Sequence, residues 1–172
     1  MKQKIVFIIL AIITSFIAHS QVGNKVPVVT LTDVNNASVA LPYLGEKLFV
    51  LFYVDPDVQE IIDPLSEALD AKKYPTNKFG AIGVINCKDT WIPNAAILAK
   101  ARQKQDRFPK SLVLLDEDYA LPNTWNLGKC NGIAKIIVVG KDKNIKYLET
   151  VKSGEECKNC ISAVIRTVES DI

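Results

Sequence analysis

The chain has 172 residues, of which 48% are hydrophobic and 23% are charged. This composition fits one ordinary globular domain and excludes a disordered, collagen-like or heptad-dominated protein. The formal net charge is only +2. No basic stripe with interleaved aromatic residues occurs, so nucleic acid is not an expected partner.

The first 20 residues are typical of a secretory signal peptide. Lys2 and Lys4 precede an uncharged, apolar run from Ile5 to Ile17, and small residues before position 21 suit a signal peptidase. The run is shorter than the roughly 20 residues of a membrane-spanning helix. We therefore expect a periplasmic or secreted protein with a single domain over residues 21–172. A membrane would hold it only through an uncleaved signal.

Strands and helices alternate along the rest of the chain. Apolar or β-branched runs bounded by turn residues predict strands at Val28–Asp33, Val39–Leu41, Lys47–Val54, Ala81–Asn86, Ser111–Asp116, Ile133–Val139 and Ile145–Thr150. The first two form an N-terminal β-hairpin, and the third is continuously apolar after its first residue, as in a strand covered on both faces. This order predicts an α/β fold, a three-layer α/β/α sandwich with a mixed central sheet.

Apolar periodicity predicts helices over residues 61–73, 93–107 and 153–168. In the first helix, Pro64 either begins the helix with Asp63 as its N-cap or kinks it. The third helix starts at Ser153, and Glu156 three residues later completes a capping-box pattern.

The only histidine, His19, belongs to the predicted signal peptide, which narrows the chemistry of the exported chain. Mechanisms that use a Ser-His-Asp triad, a Cys-His pair or a His-ligated zinc ion are therefore excluded. No glycine-rich phosphate-binding motif occurs, and no cofactor is expected. Carboxylates, lysines and thiols remain as candidates.

Four cysteines, Cys87, Cys130, Cys157 and Cys160, stand in a chain addressed to an oxidising compartment. Three disulfide pairings are open from the sequence. Cys157 and Cys160 have the CxxC spacing in the first turn of the last predicted helix, where the helix dipole lowers a thiol pKa. This pair is redox-active, a structural disulfide or without a role. A metal site is not expected, because four-thiolate sites usually contain two CxxC motifs.

The order of elements resembles a thioredoxin-like fold of the redoxin kind, which includes the peroxiredoxins and the secreted TlpA-type thiol-disulfide proteins. Two segments are more specific: Tyr53-Val-Asp-Pro-Asp57, and Val84-Ile-Asn86 followed by Thr90-Trp-Ile-Pro-Asn94. Both are similar to the YtfJ-like periplasmic proteins. The resemblance implies a thioredoxin-like domain over nearly the whole exported chain.

The sequence departs from the redox members at their reactive site. Their strand that corresponds to Leu48–Val54 is followed by a cysteine, usually in a CxxC motif, at a helix N-terminus. Aligned on this strand, the chain has Asp57 and Glu60 at the two thiol positions; aligned on Pro64, it has Pro56 and Gln59. Neither alignment places a cysteine there. The resemblance therefore predicts that the usual dithiol or peroxidase reaction cannot occur at this site.

Three further interpretations follow for single residues. Asn131-Gly132-Ile133 stands where these relatives have a cis-proline. The acidic residues Asp55, Asp57 and Glu60 are interpreted mainly as helix caps rather than a cation site. Trp91 and Trp125 are interpreted as core aromatics rather than walls of a ligand groove.

In a thioredoxin-like sheet, all four cysteines follow or precede strands at the same edge, and we expect them to line the vacated slot. Two functions remain open. The first is a binding or accessory scaffold that holds another secreted protein or a small ligand at this edge. The second is a thiol-disulfide oxidoreductase whose dithiol has moved to Cys157 and Cys160, with Cys87 or Cys130 as additional thiols.

Overall fold

The computed structural model describes residues 21–88 and 90–172. The predicted signal peptide, residues 1–20, lies outside the described residues. Strands lie at β1 (Thr30–Asp33), β2 (Ser38–Ala40), β3 (Leu48–Val54), β4 (Phe79–Asn86), β5 (Ser111–Asp116), β6 (Ala134–Val139) and β7 (Ile145–Val151). A 3₁₀ helix covers Pro56–Ile62, and α-helices lie at α1 (Asp63–Lys72), α2 (Asn94–Arg107), α3 (Ala120–Trp125) and α4 (Gly154–Asp171).

These strands form one mixed sheet in the order β2-β1-β5-β4-β3-β6-β7. Strands β3, β4 and β5 are parallel, whereas β6 runs antiparallel to β3 and β7 antiparallel to β6. Several strand ends therefore meet at one edge of the sheet, which we call the carboxyl edge: Val54, Asn86, Asp116, Ala134 and Val151. The predicted mixed sheet and opening hairpin are confirmed.

The two faces of the sheet have different covers. Helices α1, α2 and α4 lie on one face, where Phe52 of β3 shares a core with Leu65 and Val164. The opposite face, where Tyr53 points, is covered by α3 and the N-terminal segment through residues such as Leu121 and Trp125. The fold is the predicted α/β/α sandwich, and we refer to its two faces as the three-helix face and the α3 face.

Short-range chemistry explains several elements. All seven residues of β3 are buried, as their continuous apolar run predicts. In the hairpin turn, Asp33 Oδ1 accepts hydrogen bonds from the N–H groups of Asn35 and Ala37, at 2.8 Å each, and Asn36 has a left-handed φ of 63°. The hairpin therefore forms where its turn residues predicted it.

Pro64 lies at the start of the helix after β3, as one of the two predicted alternatives has it, but Asp63 is not the N-cap. Helix α1 begins at Asp63 itself, and its N-cap, Ile62, makes no side-chain hydrogen bond to the helix. The Asp63 carboxylate instead pairs with Lys104 and Arg107 of α2. It is oriented by charges more than 40 residues away rather than by its own helix.

Helix α3 was not predicted. It has only six residues with Pro122 among them, too few for a periodic pattern. The carboxylate of Asp116 holds its first turn, because Oδ1 accepts from the Ala120 N–H at 2.8 Å and Oδ2 from the Leu121 N–H at 3.0 Å. Among the helices of the described ranges, none combines the length and the apolar character needed to cross a membrane.

Candidate functional site at the carboxyl edge

Asp55 occupies the position directly after β3, and its side chain is buried, with 1% of the residue exposed. Its Oδ1 accepts the N–H of Asp57 at 2.8 Å, and its Oδ2 accepts the N–H of Gly132 at 2.7 Å. The Asp55 N–H donates to the carbonyl of Ile133 at 3.2 Å. One carboxylate thus joins the start of the 3₁₀ helix to the loop before β6.

The vacated positions lie beside this carboxylate. Asp57 and Glu60 are exposed, whereas Gln59 is buried. Asp55 is the N-cap of the 3₁₀ helix, so the predicted capping role is confirmed for Asp55, whereas neither Asp57 nor Glu60 is the N-cap. Asp57 remains in the first turn, where a negative charge complements the helix dipole.

Cys130 and Cys87 lie close to this edge but are poor nucleophiles. Cys130 is completely buried on the α3 face, where its thiol contacts the carbonyl of Tyr53 at 3.6 Å. Burial raises its pKa to about 12. Cys87 is half-buried after β4, and burial together with the charges of Glu117 and Asp116 raises its pKa to about 12. Neither thiol ionises appreciably near neutral pH.

Cys157 and Cys160 lie in the first turns of α4. Ser153 is the N-cap, and its Oγ accepts the N–H of Glu156 at 3.2 Å. The Glu156 carboxylate in turn accepts the N–H of Lys152 at 2.7 Å. The helix therefore starts where the capping-box pattern predicted, with both cysteines on its buried side.

The two thiols differ in acidity and in exposure. The Cys160 thiol and the N–H of Leu65 donate hydrogen bonds that lower the pKa of Cys157, against the opposing effects of burial and of the Asp63 charge. The interaction with Cys157, followed by burial, raises the pKa of Cys160. Yet Cys157 is 0% exposed and Cys160 is 7% exposed. The sulfur that is the better nucleophile is thus the one that a substrate cannot reach.

The sheet divides the four thiols. All four lie near the carboxyl edge, but Cys130 belongs to the core of the α3 face, whereas Cys157 and Cys160 belong to the core of the three-helix face. Cys87 packs against the second core of the three-helix face, beside Ile85. Each of the four is a free thiol in the structure. In the described residues, no three His, Cys, Asp or Glu side chains are grouped closely enough to hold a metal ion.

The family model described as "Bacterial protein of unknown function (YtfJ_HI0045)" matches residues 47–171, which include the carboxyl edge and the dithiol. The chain belongs to this family. The match begins just before β3 and ends at the last residue of α4. No curated protein matches the sequence.

Solved structures show what this YtfJ-family chain is similar to in fold. The thioredoxin domain of a thiol-disulfide oxidoreductase from Bacteroides vulgatus has 16% identity and a TM-score of 0.56, covering 84% of this chain and 97% of that one. The exposed lipoprotein thioredoxin Etrx1 of Streptococcus pneumoniae strain TIGR4 has 12% identity and a TM-score of 0.60, covering 84% and 99%.

A peroxiredoxin-like protein from Aquifex aeolicus has 13% identity and a TM-score of 0.60, covering 88% of this chain and 87% of that one. The predicted resemblance to thioredoxin-like proteins and to the YtfJ family is therefore confirmed. At these identities the structural likeness concerns the fold alone.

One buried network of the YtfJ-family chain was not predicted from the sequence. The Tyr53 hydroxyl donates to Asp116 Oδ2 at 3.3 Å, next to the backbone groups of α3 that the same carboxylate accepts. Burial, followed by the charge of Asp116, raises the pKa of Tyr53. An aspartate at the end of a predicted strand was the available signal, but its partners lie on other elements. The network positions α3 against the sheet.

The two tryptophans have opposite surroundings. Trp125 is buried, and its Nε1 donates to the Pro27 carbonyl at 3.0 Å, so the prediction of a core aromatic is confirmed there. For Trp91 the same prediction is wrong, because this residue is 85% exposed. Trp91 stands in the loop that leads from the end of β4 to α2, next to the carboxyl edge.

A groove of about 290 Å³ lies between the 3₁₀ helix and α2. Its walls are polar, and the lining includes Gln59, Glu60, Lys100 and Gln103. The paired side chains of Asp63 and Lys104 also line it. Gln59 and Glu60 of the vacated positions thus form part of this groove.

Proposed function

We propose that the protein is a binding or accessory scaffold that holds a segment of another exported protein at the carboxyl edge. The observation that carries the proposal is the Asp55 carboxylate. It fills the end of β3 and is hydrogen-bonded to both Asp57 and Gly132. The position that carries the reactive cysteine in redox proteins of this fold holds a buried, hydrogen-bonded carboxylate here.

The burial of the thiols supports the same proposal. Exchange with a protein disulfide requires a thiolate that can approach the attacked sulfur. The thiol with the lowered pKa, Cys157, is fully buried, and the half-buried thiol, Cys87, has a pKa of about 12. No thiol of this chain combines acidity with access.

Trp91 is the residue that we expect to contact the partner. Tryptophan is enriched among the few residues that dominate binding energies, since it buries a large apolar area with little loss of side-chain entropy. Trp91 is 85% exposed, so a partner that covers it would bury a large apolar area. A small ligand in the groove between the 3₁₀ helix and α2 is the other form that binding could take.

Selection of binders from a random peptide library displayed on phage tests this proposal. We expect selected peptides to bind the purified protein, and Trp91→Ala to weaken them by about tenfold or more. Val22→Ala is the matched control. Val22 is also an exposed apolar residue, at 47%, but it precedes Gly23, whose N–H bonds to Ile145 at the opposite end of the sheet.

The control should change affinity less than twofold. Peptides that bind equally well to the Trp91 variant would contradict the proposed surface. If no selected peptide binds more tightly than a scrambled version of its sequence, the binding function for protein segments is contradicted. A small ligand is then the alternative to examine.

A second candidate function is thiol-disulfide exchange through Cys157 and Cys160. The observation that favours it is the lowered pKa of Cys157. The neighbouring Cys160 thiol and Leu65 N–H lower this pKa because they stabilise the Cys157 thiolate. In this case the couple should have a potential of roughly −270 to −120 mV, whereas a structural bridge should lie below about −300 mV. Titration of the Cys87→Ser, Cys130→Ser double variant in glutathione mixtures measures it.

Reduction of insulin separates the two functions. We expect the protein with its thiols reduced not to accelerate insulin precipitation by dithiothreitol. An acceleration that disappears in Cys157→Ser, and persists in the Cys87→Ser, Cys130→Ser variant, would favour the oxidoreductase and displace the scaffold.

Export is part of the proposal. Cleavage after Ser20 would release residues 21–172 as a single thioredoxin-like domain in the periplasm or outside the cell. Fractionation of cells that express the full sequence, with an intact mass for the recovered protein, tests both statements. A cytoplasmic protein of uncleaved mass would contradict them.

A further inference from the structure

The apolar core of the three-helix face is in two parts. One part joins α1 and α4 to β3 and β6 and includes Leu65, whereas the other joins α2 to β4 and β5 and includes Ile97. A single domain usually has one contiguous core. Helices α1 and α2 make few close backbone contacts with each other. A crevice therefore runs between these two helices, above the central strand β4.

The floor of this crevice is formed by small residues of β4. Ile82 and Val84 belong to the core of the α3 face. Because side chains alternate along a strand, Ala81 and Gly83 are directed to the three-helix face. Both are partly exposed, although β4 is the middle strand of the sheet. A Cβ added at Gly83 would meet no atom closer than the Leu112 carbonyl oxygen, at 3.9 Å, so the floor is open there.

Three adjoining cavities lie along the crevice. The polar groove of about 290 Å³ between the 3₁₀ helix and α2 forms its mouth. A middle cavity of about 40 Å³ lies over Gly83, and its surface is mostly apolar, with Phe108 as one wall. A third cavity, of about 50 Å³, lies over Ala81. The middle cavity shares Gln59 with the mouth and Phe52 with the third cavity, so the three form one path.

Gln59 stands between the polar mouth and the apolar interior. Only 9% of this residue is exposed, and its side-chain amide makes no hydrogen bond within the part of the chain that the structure describes. A buried amide without a partner costs free energy, because it has lost its hydrogen bonds to water. Since Gln59 lines both the mouth and the middle cavity, a polar group held in the mouth would be its partner.

The charges of the mouth favour an anion. Its lining carries two acidic and three basic residues: Glu60, Asp63, Lys100, Lys104 and Arg107. Asp63 pairs with Lys104 and Arg107, whereas Lys100 and Glu60 have no ion-pair partner among the described side chains. One positive charge is in excess, and the Gln59 amide adds N–H donors. A carboxylate is an acceptor that suits both groups.

We propose that the crevice binds a carboxylic acid with an unbranched hydrocarbon chain. The carboxylate lies in the mouth near Gln59 and Lys100, and the chain lies over Gly83 and Ala81. The two inner cavities have room for roughly six to nine water-sized groups, which corresponds to a chain of about eight carbons. The inference names the ligand class for the groove and does not depend on a protein partner at Trp91.

Equilibrium dialysis of the purified protein against radiolabelled octanoate tests the inference. We expect saturable binding, and competition by shorter carboxylates should weaken about fourfold for each methylene removed, because less apolar surface leaves water. Octylamine has a similar chain and the opposite charge, and it should compete about tenfold less well than octanoate. The absence of octanoate binding would overturn the proposal. Equal competition by butyrate would overturn the role of the inner cavities, and equal competition by octylamine that of the mouth.

Gly83→Val fills the middle cavity. We expect it to weaken octanoate binding by about tenfold or more, while thermal unfolding shows a fold at least as stable, because the added methyl groups gain contacts and valine suits a strand. Gly154→Val is the matched control. No atom lies within 4 Å of a Cβ added at Gly154, in the first turn of α4, so the same change there should leave binding unaltered. A folded Gly83 variant that binds octanoate as the wild-type chain does would overturn the site.

Lys100→Met and Lys110→Met locate the carboxylate without disturbing the core. Both lysines are exposed, but Lys100 lines the mouth and Lys110 lines the third cavity at the far end. We expect Lys100→Met to weaken octanoate binding by about fivefold, and Lys110→Met by less than about twofold. The reverse order would overturn the proposed orientation. Peptide binding at Trp91 should be unchanged in Gly83→Val, so the two proposals fail separately.

Discussion

A redox protein of this fold has its reactive cysteine at the end of a central strand, where a helix begins. In this molecule that position and the CxxC cysteines lie in two different regions. The end of β3 lies at the carboxyl edge and at a helix start, which is the position of the reactive cysteine in such proteins, but here it holds the carboxylate of Asp55. The start of α4 has the sulfur, in a CxxC motif at a capped helix N-terminus, but both thiols are buried. The comparison teaches that position and reactivity can be separated within a fold, so that the fold alone does not assign the reaction.

The Asp55 region should be the more sensitive to substitution. Asp55→Ala leaves the N–H groups of Asp57 and Gly132 without their buried acceptor. We expect the free energy of unfolding to fall by about 3 kcal/mol, because two N–H groups lose the charged acceptor that they share. Urea denaturation measures it.

Asp57→Ala is the matched control for this substitution. Its carboxylate is exposed, and the backbone N–H that bonds to Asp55 remains. The control should lower stability by less than about 0.5 kcal/mol. Equal losses in the two variants would show that Asp55 is no more than a surface charge.

The thiol at the α3 face should make the protein sensitive to alkaline pH. Burial raises the pKa of Cys130 to about 12, so its contribution to stability is full below the pKa of the unfolded chain, about 8.5, and is lost as the pH rises towards 12. Between pH 9 and pH 10 this thiol should cost the reduced protein about 1 kcal/mol.

Cys130→Ala should flatten the slope of the free energy of unfolding against pH between pH 9 and pH 10, whatever its effect on stability at pH 7. Cys87→Ala should flatten it to a similar degree, because burial and the charges of Glu117 and Asp116 raise the pKa of Cys87 to about 12 as well. Parallel slopes for the wild-type chain and the Cys130 variant would mean that Cys130 has an ordinary pKa. Denaturation curves at both pH values provide the measurement.

The dithiol region depends on the cap of α4. Ser153→Ala removes the acceptor of the Glu156 N–H, and we expect a loss of about 1 kcal/mol. Ser162→Ala changes an exposed serine inside the same helix and should be neutral or slightly stabilising, since alanine has the higher helix propensity. Thermal unfolding of both reduced variants decides whether the cap supports the thiol pair.

The smallest effect on stability is expected for Trp91→Ala. Since the side chain is 85% exposed, the free energy of unfolding should change by less than about 0.5 kcal/mol. If the tryptophan fluorescence that the variant lacks is the part that acrylamide quenches readily in the wild-type chain, the exposure of Trp91 is confirmed. A large loss of stability would place Trp91 in the core and remove it from the proposed binding surface.

Local patterns determined most of the framework of the sheet. The apolar run after Lys47 predicted β3, and Ser111–Asp116 was predicted with the bounds that β5 has. Ser153 and Glu156 predicted the start of α4. Each depends on contacts between neighbours in sequence, or on an apolar pattern whose period differs between strand and helix. The absence of a cysteine after β3 was visible in the sequence as well.

Only the tertiary structure decided what these residues can do. Asp55 bonds to Gly132, which is 77 residues away, and Asp63 pairs with Lys104 and Arg107 of a different helix. The burial of the dithiol and the separation of Cys130 from it depend on which elements cover each face of the sheet. Trp91 and Trp125 are alike in sequence terms, yet one is exposed and the other is core. Exposure and long-range hydrogen bonds are properties of the packed chain, because partners distant in sequence meet only when the sheet is assembled.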